Sequence, residues 1–334
     1  MVKTAIVILN WNTRNHLETF LPSLTKYSIS DDTKIYIADN ASTDDSVAFL
    51  KQNFPDIELI LLNKNYGFAE GYNKALHQIK AQYYIILNSD IEVTENWMNP
   101  LISLLERDSN IGACMPKLKS YFDRESFEYA GAAGGYIDKL GYPFCKGRVF
   151  DTVEKDYGQY NGCYEVFWAT GACMAVKSEV FHQMGGFDPF YFAHQEEIDL
   201  CWRMHNAGYK LFCTTDSIVY HLGGGTLPKS NPHKTFLNFR NNMVLLYKNL
   251  PAEIRFRIIF LRLILDGIAA VKFLFGPKPS EFVSVIKAHF HFYRYMLTNW
   301  KVNSPKTLPS LILNKSIVVQ YYLKKRHTYD SINL

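Results

Sequence analysis

The sequence lacks several patterns that would place it in a familiar class of protein. Its six cysteines include no C-x-x-C pair and no Cys/His cluster at zinc-finger spacing, so we expect reduced thiols. The net charge is only +4, from 36 Lys and Arg against 32 Asp and Glu, which argues against a nucleic-acid-binding protein. No G-x-G-x-x-G motif follows the first apolar segment, which argues against a dinucleotide-binding dehydrogenase.

The amino-terminal segment has no cleavage site of small residues. It carries one cation and a short apolar run, and the polar residues Asn10 and Asn12 follow directly. We interpret this segment as a first β-strand rather than a signal peptide. A cytoplasmic protein is therefore expected, since disulfides are uncommon in that compartment.

The composition provides enough apolar material for a large core. Hydrophobic residues make up 48% and aromatic residues 15% of the 334 residues, which excludes a disordered chain. The length favours one large domain with an extension, or two domains. We predict an α/β domain over residues 1–225 and a helical, aromatic and basic extension over residues 226–334.

Short apolar segments alternate with helical patterns in the first hundred residues. The predicted strands are 4–9, 34–38, 59–62 and 83–87, and the predicted helices are 15–27, 44–53, 68–80 and 95–107. This β-α order predicts a parallel sheet with right-handed crossovers.

The pattern is less regular over residues 111–170, where glycines interrupt aromatic segments. We expect loops and short strands there, covering the site and contacting the variable part of a ligand. Regular structure returns afterwards. The predicted elements are strand 172–176, helix 178–184, helix 195–207 and strand 210–214.

Polar residues follow the predicted strands at the edge where open α/β sheets bind their ligands. These are Asn12, Asp39, Asn65 and the triplet Asn88-Ser89-Asp90. The triplet is consistent with an ordinary turn, and also with oxygen ligands for a divalent cation. Its spacing alone favours the turn.

Two later segments carry ionisable side chains. Glu196, Glu197 and Asp199 cluster at a predicted helix start, where Asp199 and Arg203 have the i,i+4 spacing of a surface ion pair. Glu197 has no such partner in its own helix, and an apolar surround could raise its pKa into the range of a general base. His221 ends a short predicted strand and precedes a glycine turn. We interpret it either as a structural residue or as a metal ligand.

Together these motifs resemble glycosyltransferase family 2, the inverting GT-A fold, and especially its rhamnosyltransferase-like members. The resemblance covers about two thirds of the chain. It rests on residues 7–12, 39–44, 65–69, 88–90, 171–172, 185–188, 196–197 and 221. It implies a Rossmann-like, mostly parallel central sheet followed by a helical extension.

The resemblance also implies an activity. It predicts a metal-dependent enzyme that moves rhamnose or a related hexose from a dTDP- or UDP-sugar to a hydroxyl of a glycan or lipid-linked acceptor in cell-surface polysaccharide synthesis. The alternative is a noncatalytic nucleotide- or glycan-binding module with the same fold, since a fold does not establish an activity. Neither hypothesis includes a nucleic-acid partner, and the oligomeric state stays open.

The resemblance assigns roles to single residues. Asp39 would contact the nucleotide base, Asp90 and His221 would bind Mg²⁺ or Mn²⁺, and Glu197 would be the catalytic base. The remaining expected substrate-binding residues are Asn12, Asn65, Gly67, Asn88, Gly171 and Glu196. Asn88 stands where a strict motif has an acid, and Glu197 stands where the family usually has an aspartate. Glu196 or Asp199 could share the role of base.

Residues 254–275 are strongly apolar but carry too many charges for a membrane-spanning helix. Helical spacing places Arg255, Arg262 and Asp266 on one face. An amphipathic helix at a membrane surface, with Lys324-Lys325-Arg326 near lipid headgroups, fits this pattern. A helical lid packed on the domain fits it equally well.

Overall fold

The structure is a computed structural model that describes residues 2–28, 30–223, 231–276, 279–302 and 305–333. The predicted boundary between residues 225 and 226 lies outside these ranges. The strands are β1 (Val2–Asn10), β2 (Thr33–Asp39), β3 (Glu58–Leu61), β4 (Ala81–Leu87), β5 (Ile91–Val93), β6 (Ile111–Ser120), β7 (Gly135–Ile137), β8 (Pro143–Cys145), β9 (Arg148–Val149), β10 (Thr152–Val153), β11 (Cys163–Glu165), β12 (Cys173–Lys177) and β13 (Lys210–His221). The α-helices are α1 (Arg14–Ser28), α2 (Ser46–Asn53), α3 (Gly67–Leu76), α4 (Asn99–Arg107), α5 (Ser178–Gln183), α6 (Glu196–Asn206), α7 (Pro232–Asn249), α8 (Ala252–Leu274), α9 (Pro279–Thr298) and α10 (Tyr329–Asn333).

The first four strands form the parallel half of a nine-stranded sheet. Their order is β4-β1-β2-β3, and each neighbouring pair is parallel. The predicted β-α alternation is thus confirmed. Continuous apolar runs such as Ile85 and Ile86 are fully buried, because helices cover both faces of a parallel sheet.

The other half of the sheet is mixed. It continues from β4 through β12, β6 and β13 to β11, and β12 runs antiparallel to both of its neighbours. The prediction of loops and short strands over residues 111–170 was wrong for residues 111–120, which form the long strand β6. Lys117 interrupts the apolar pattern there. Its side chain is nevertheless buried, because its Nζ forms an ion pair with Asp156 Oδ2 at 2.9 Å.

The last strand of the sheet is longer than the sequence indicates. It was predicted over residues 210–214, but β13 extends to His221, with an irregularity between Thr214 and Ile218. The three residues of β5 pair with its carboxyl end, opposite residues 219–221. This pairing fixes the position of His221.

The carboxyl-terminal helices form a layer of their own. Helix α7 is largely buried and packs against both α8 and α9, as in the ring contacts of Tyr247 with Phe292 and of Phe239 with Phe273. The predicted charged face of α8, with Arg255, Arg262 and Asp266, is buried. Within the described ranges, no helix has the length and apolar character needed to cross a membrane.

Candidate active site

Asp39 lies buried at the carboxyl end of β2, beside the end of β1. Its Oδ1 accepts a hydrogen bond from Asn10 Nδ2 at 2.9 Å, and its Oδ2 accepts one from the backbone amide of Ser42 at 2.9 Å. Parallel pairing of β1 with β2 sets Asn10 opposite Asp39. The carboxylate is therefore held in one orientation at the sheet edge.

Asn12 connects this edge to the loop after β2. Its φ of 56° lies in the left-handed region, which Asn tolerates better than most residues. Its Oδ1 accepts from the amide of Thr43 at 2.7 Å, and its own amide donates to Ser42 Oγ at 3.0 Å. Asn12 and Asp39 thus meet at the same loop.

Asn65 and Gly67 lie at the start of α3, where Asn40 holds the turn. Asn65 Oδ1 accepts from the Gly67 amide at 2.8 Å and from Asn40 Nδ2 at 3.0 Å, and Asn40 Oδ1 accepts from the Tyr66 amide at 2.9 Å. These bonds orient the first turn of the helix.

The loop before α6 closes over Gly67. A Cβ atom there would lie 2.5 Å from the ring of Phe192, and the φ of Gly67 is +74°. The carbonyl oxygen of Phe192 accepts from the amides of Phe68 and Ala69 at 2.8 and 3.2 Å. Packing against this loop is thus one reason for glycine at position 67. The backbone amides of Phe68 and Ala69 already donate their hydrogen bonds to Phe192.

The same loop carries backbone strain next to the acids of α6. Phe192, His194 and Gln195 all have φ between 63° and 71°, a region that non-glycine residues rarely adopt. Arg240 and Asn241 of α7 hold the loop by donating to its carbonyl oxygens, with Tyr191 as a shared acceptor. Helix α7 thereby fixes the position at which α6 begins.

Asp90 and His221 meet because β5 pairs with the end of β13. His221 Nε2 lies 3.2 Å from Asp90 Oδ1, and its Nδ1 lies 3.2 Å from Oε1 of Glu128. All three side chains are buried. The imidazole is therefore placed between two carboxylates.

The charges of neighbouring side chains determine the pKa values of His221 and Asp90. Burial alone would lower the pKa of His221, but the carboxylates of Glu128 and Asp90 outweigh burial and raise it to about 10. Burial would likewise raise the pKa of Asp90, but His221 outweighs it and holds the pKa below its usual value. The pair carries opposite charges at neutral pH.

Asn88 follows β4, Gly171 precedes β12, and Glu197 lies in the first turn of α6. The backbone amide of Asn88 donates to the carbonyl oxygen of Ala172 at 2.9 Å, which places the turn after β4 beside the turn before β12. A Cβ atom added to Gly171 would lie 3.7 Å from the Cβ of Glu197 and 3.3 Å from the ring of Phe68. Gly171 thus lies beside the start of α6.

Glu196 and Glu197 occupy the first turn of α6. In each, Oε2 is buried and has no hydrogen-bond partner among the described residues. Burial raises the pKa of Glu197 to about 7, and burial together with the charge of Glu197 raises the pKa of Glu196 well above its usual value. The raised pKa expected for Glu197 agrees with this environment.

The predicted ion pair between Asp199 and Arg203 is present, but the prediction that it lies at the surface is wrong. The pair exists, with Arg203 Nε 2.8 Å from Asp199 Oδ2, but Asp199 is fully buried. Its Oδ1 also accepts from Asn249 at 2.9 Å and lies 2.9 Å from Lys248 Nζ on α7. Asp199 thus joins α6 to α7.

The site residues thus form separate groups. Asn12 and Asp39 both bond to Ser42, Asn65 bonds to Gly67, Gly171 lies beside Glu197, and Asp90 pairs with His221. No hydrogen bond or ion pair in the described ranges joins Glu197 to the Asp90–His221 pair. Glu128 could not be identified from the sequence, because it lies in the irregular segment and has no motif around it.

Comparison with known proteins identifies the family. The model of "Glycosyl transferase family 2" matches residues 5–185, more than half of the chain. The chain is 25% identical to the N-acetylglucosaminyl-diphospho-decaprenol L-rhamnosyltransferase of Mycobacterium tuberculosis, over 66% of this chain and 76% of that protein. It is 20% identical to the low-salt glycan biosynthesis hexosyltransferase Agl10 of Haloferax volcanii, over 86% of this chain and 90% of that protein.

A solved structure shows the same fold. GalNAc-T7, crystallised with UDP, GalNAc and Mn²⁺, superposes with a TM-score of 0.59 at 16% identity and covers 90% of this chain. The chain spans 57% of the GalNAc-T7 chain. The sheet order and the helical extension agree with the fold that the resemblance implied, and the family match agrees with a glycosyltransferase. The chain therefore belongs to glycosyl transferase family 2 and is a rhamnosyltransferase-like glycosyltransferase of the GT-A fold, in a family whose typical mechanism is inverting.

Proposed function

We propose that the chain transfers rhamnose or a related hexose from a dTDP- or UDP-sugar to a hydroxyl of a glycan or lipid-linked acceptor. The reaction inverts the anomeric carbon and serves cell-surface polysaccharide synthesis at the cytoplasmic face of a membrane. Support comes from the mycobacterial relative, which is named for a decaprenol-linked acceptor and L-rhamnose, and from the UDP bound to GalNAc-T7.

The observation that carries the proposal is the carboxyl group of Glu197. Its Oε2 is buried without a hydrogen-bond partner in the described part of the chain, and its pKa is raised to about 7. A general base works best with a pKa near the working pH. The family resemblance assigns the base to Glu197, and the charge of Glu197 adds to burial in raising the pKa of Glu196 well above its usual value.

The reaction follows from this assignment. Glu197 Oε2 takes the proton of the acceptor hydroxyl, and the oxygen attacks the anomeric carbon from the face opposite the nucleotide. The bond from that carbon to the phosphate oxygen breaks, and its electron pair leaves with the nucleoside diphosphate. Glu196, whose Oε2 is buried without a hydrogen-bond partner among the described residues, would bind the substrate beside Glu197.

The Asp90–His221 pair fits a divalent cation, Mg²⁺ or Mn²⁺. Asp90 would supply a carboxylate oxygen and His221 a ring nitrogen, and these two atoms lie 3.2 Å apart. His221 would lose its Nε2 proton on binding the cation, and Glu128 would lie behind the imidazole, with its Oε1 3.2 Å from Nδ1, as carboxylates commonly do behind metal-binding histidines. When bound, the cation stabilises the charge of the departing diphosphate.

In the described ranges, no group of three or more His, Cys, Asp or Glu side chains is arranged to hold a metal. A site with only Asp90 and His221 as protein ligands suits a cation whose other ligands would be water and donor phosphates. Asp39 would accept from the nucleotide base, since Asn10 and Ser42 already orient its carboxylate. Residues 12, 65, 67, 88 and 171 would line the donor site along the same sheet edge.

The proposal is tested by incubating the full-length protein with dTDP- and UDP-sugars, Mn²⁺ and a diphospholipid-linked acceptor. We expect transfer from one of these donors, and loss of transfer with chelator or with Asp90→Ala. Nucleotide binding without any transfer would support a noncatalytic module and contradict the proposal.

A further inference from the structure

The inner side of helix α8 carries charged residues, whereas a surface helix usually buries apolar residues on that side. Its charged residues Arg255, Arg262 and Asp266 are all at most 5% exposed. Arg262 donates to the carbonyl oxygen of Leu140 at 2.9 Å and stacks on the ring of Tyr142 at 3.7 Å. Its charges therefore serve contacts within the protein.

The outer side of α8 is apolar instead. Phe256, Phe260, Ile264 and Ile268 recur every four residues and are 47–63% exposed, and Phe275 at the end of the helix is 84% exposed. A helix that only covers a domain would bury this stripe and expose its charges. The exposed stripe thus has no covering partner among the described residues.

Helix α9 continues the same surface. Its exposed apolar residues are Val283, Ile286, Phe290, Tyr293 and Leu297, with Trp300 just beyond its end. Both helices pack on α7, and His289 of α9 lies 3.2 Å from Asp266 of α8. We call the outer sides of α8 and α9 the apolar face. Fourteen of the 25 large apolar side chains that are exposed among the described residues lie between Phe256 and Trp300.

The charges around the apolar face are nearly all positive. The exposed cations of residues 252–276 and 279–302 are Arg257, Lys272, Lys287, Arg294 and Lys301, and Glu253 is the exposed acid in these ranges. Lys272 Nζ also lies 5.6 Å from the ring of Tyr322, which brings exposed Lys324 and Lys325 close to the end of α8. An apolar face rimmed by cations is complementary to an anionic lipid surface.

We propose that the apolar face docks the protein onto an anionic phospholipid bilayer, with α8 and α9 lying in the interface and their cations at the headgroups. A second copy of this chain fits less well, because a two-fold contact would bring the same basic rim against itself. The inference does not rest on the proposed transfer reaction, since none of the residues assigned to the site lies on α8 or α9.

The test uses the full-length protein and cosedimentation with vesicles of phosphatidylcholine, alone or mixed with phosphatidylglycerol. The apolar variant is Phe256→Gln/Phe260→Gln/Ile264→Gln, and the charge variant is Arg257→Gln/Lys287→Gln/Arg294→Gln. Matched controls are Tyr157→Gln, an aromatic residue that is 83% exposed elsewhere, and Lys51→Gln/Lys80→Gln on other exposed surfaces. Circular dichroism confirms that each variant folds.

We expect wild-type protein and controls to bind the anionic vesicles and the apolar variant to lose at least about tenfold in affinity. The charge variant should lose about 100-fold at low salt and less at high salt. Equal vesicle binding by wild type and apolar variant, or no binding by wild type, would overturn the proposal. A wild-type dimer that the apolar variant converts to monomer would also overturn it, by assigning the face to a second copy.

Discussion

Glu196 and Glu197 are adjacent in the first turn of α6, and in both the Oε2 atom is buried without a hydrogen-bond partner among the described residues. Burial raises the pKa of Glu197 to about 7, and burial together with the charge of Glu197 raises the pKa of Glu196 well above its usual value. A carboxyl group with a pKa near the working pH is suited to act as a general base. This environment leads to the first prediction.

Glu197→Gln should abolish the proton-accepting group and lower the transfer rate by about 10²–10⁴-fold. Donor binding, measured by calorimetry with the nucleoside diphosphate, should change little. Glu196→Gln is the matched control, because glutamine resembles the protonated acid. A larger rate loss for Glu196→Gln would assign the base to Glu196.

The transfer rate should depend on the ionisation of Glu197. Since a general base acts in its deprotonated form, kcat/KM should rise with pH and level off above about pH 7. A rate profile from pH 5 to 9 checks this prediction. A profile that is flat across pH 6–8 would contradict the raised pKa.

The same group should oppose stability at high pH. The folded pKa of Glu197 lies above its ordinary value of 4.5, so its contribution to folding is complete below 4.5 and is lost as the pH rises through about 7. At pH 8, Glu197→Gln should therefore be about 1–3 kcal/mol more stable than wild type. Denaturant unfolding at pH 5 and pH 8 should show a larger difference at pH 8.

Glu128→Gln should weaken Mn²⁺ binding about 10–100-fold, because it removes the carboxylate charge that lies 3.2 Å from Nδ1 of His221. Electron paramagnetic resonance of free Mn²⁺ measures this affinity without any turnover. Glu92→Gln is the control, since its carboxylate pairs with Arg124 at the surface at 2.8 Å. Equal losses in the two variants would remove Glu128 from the proposed site.

Gly67→Ala should destabilise the loop over α3 by about 1–3 kcal/mol, because its Cβ would meet the Phe192 ring and its φ is positive. Phe192→Ala in the same chain removes the ring and should restore part of the loss. The free energy of unfolding of the two single variants and the double variant measures the coupling. Strict additivity would show that the ring contact is not the cause.

Asp199→Asn should cost about 3–5 kcal/mol, since it leaves Arg203 and Lys248 beside a buried neutral group. Burial would raise the pKa of Asp199, but Arg203 and Lys248 outweigh burial and lower it, so its contribution is lost as the pH falls below the ordinary value of 3.8. Asp188→Asn is the milder control, because Asp188 is 26% exposed. Denaturant unfolding of both variants provides the comparison, and equal costs would contradict the role of Asp199 in joining α6 to α7.

The positions of the first four strands and their parallel arrangement could be predicted because each is a short apolar run followed by polar residues. Asp39 and Asp90 were found from the same pattern. The contact of Asp90 with His221 spans 131 residues and depends on the pairing of β5 with β13, which leaves no local signal in the sequence. Glu128 joins that group only through the tertiary structure.

Other features were hidden for a different reason. Asp199 has the spacing of a surface pair, but its second cation, Lys248, lies on α7 and buries it. The charges of α8 were visible in the sequence, yet helical spacing does not say which face points inward. The structure shows the charges inside and the phenylalanines outside, which periodicity could not distinguish.

The most direct test of the central claim is the anomeric configuration of the product formed by wild type and by Glu197→Gln, followed by NMR with a labelled donor sugar and Mn²⁺. The account predicts a product of inverted configuration from wild type and almost none from Glu197→Gln, with donor binding intact. A product of retained configuration, or an undiminished rate in Glu197→Gln, would contradict it.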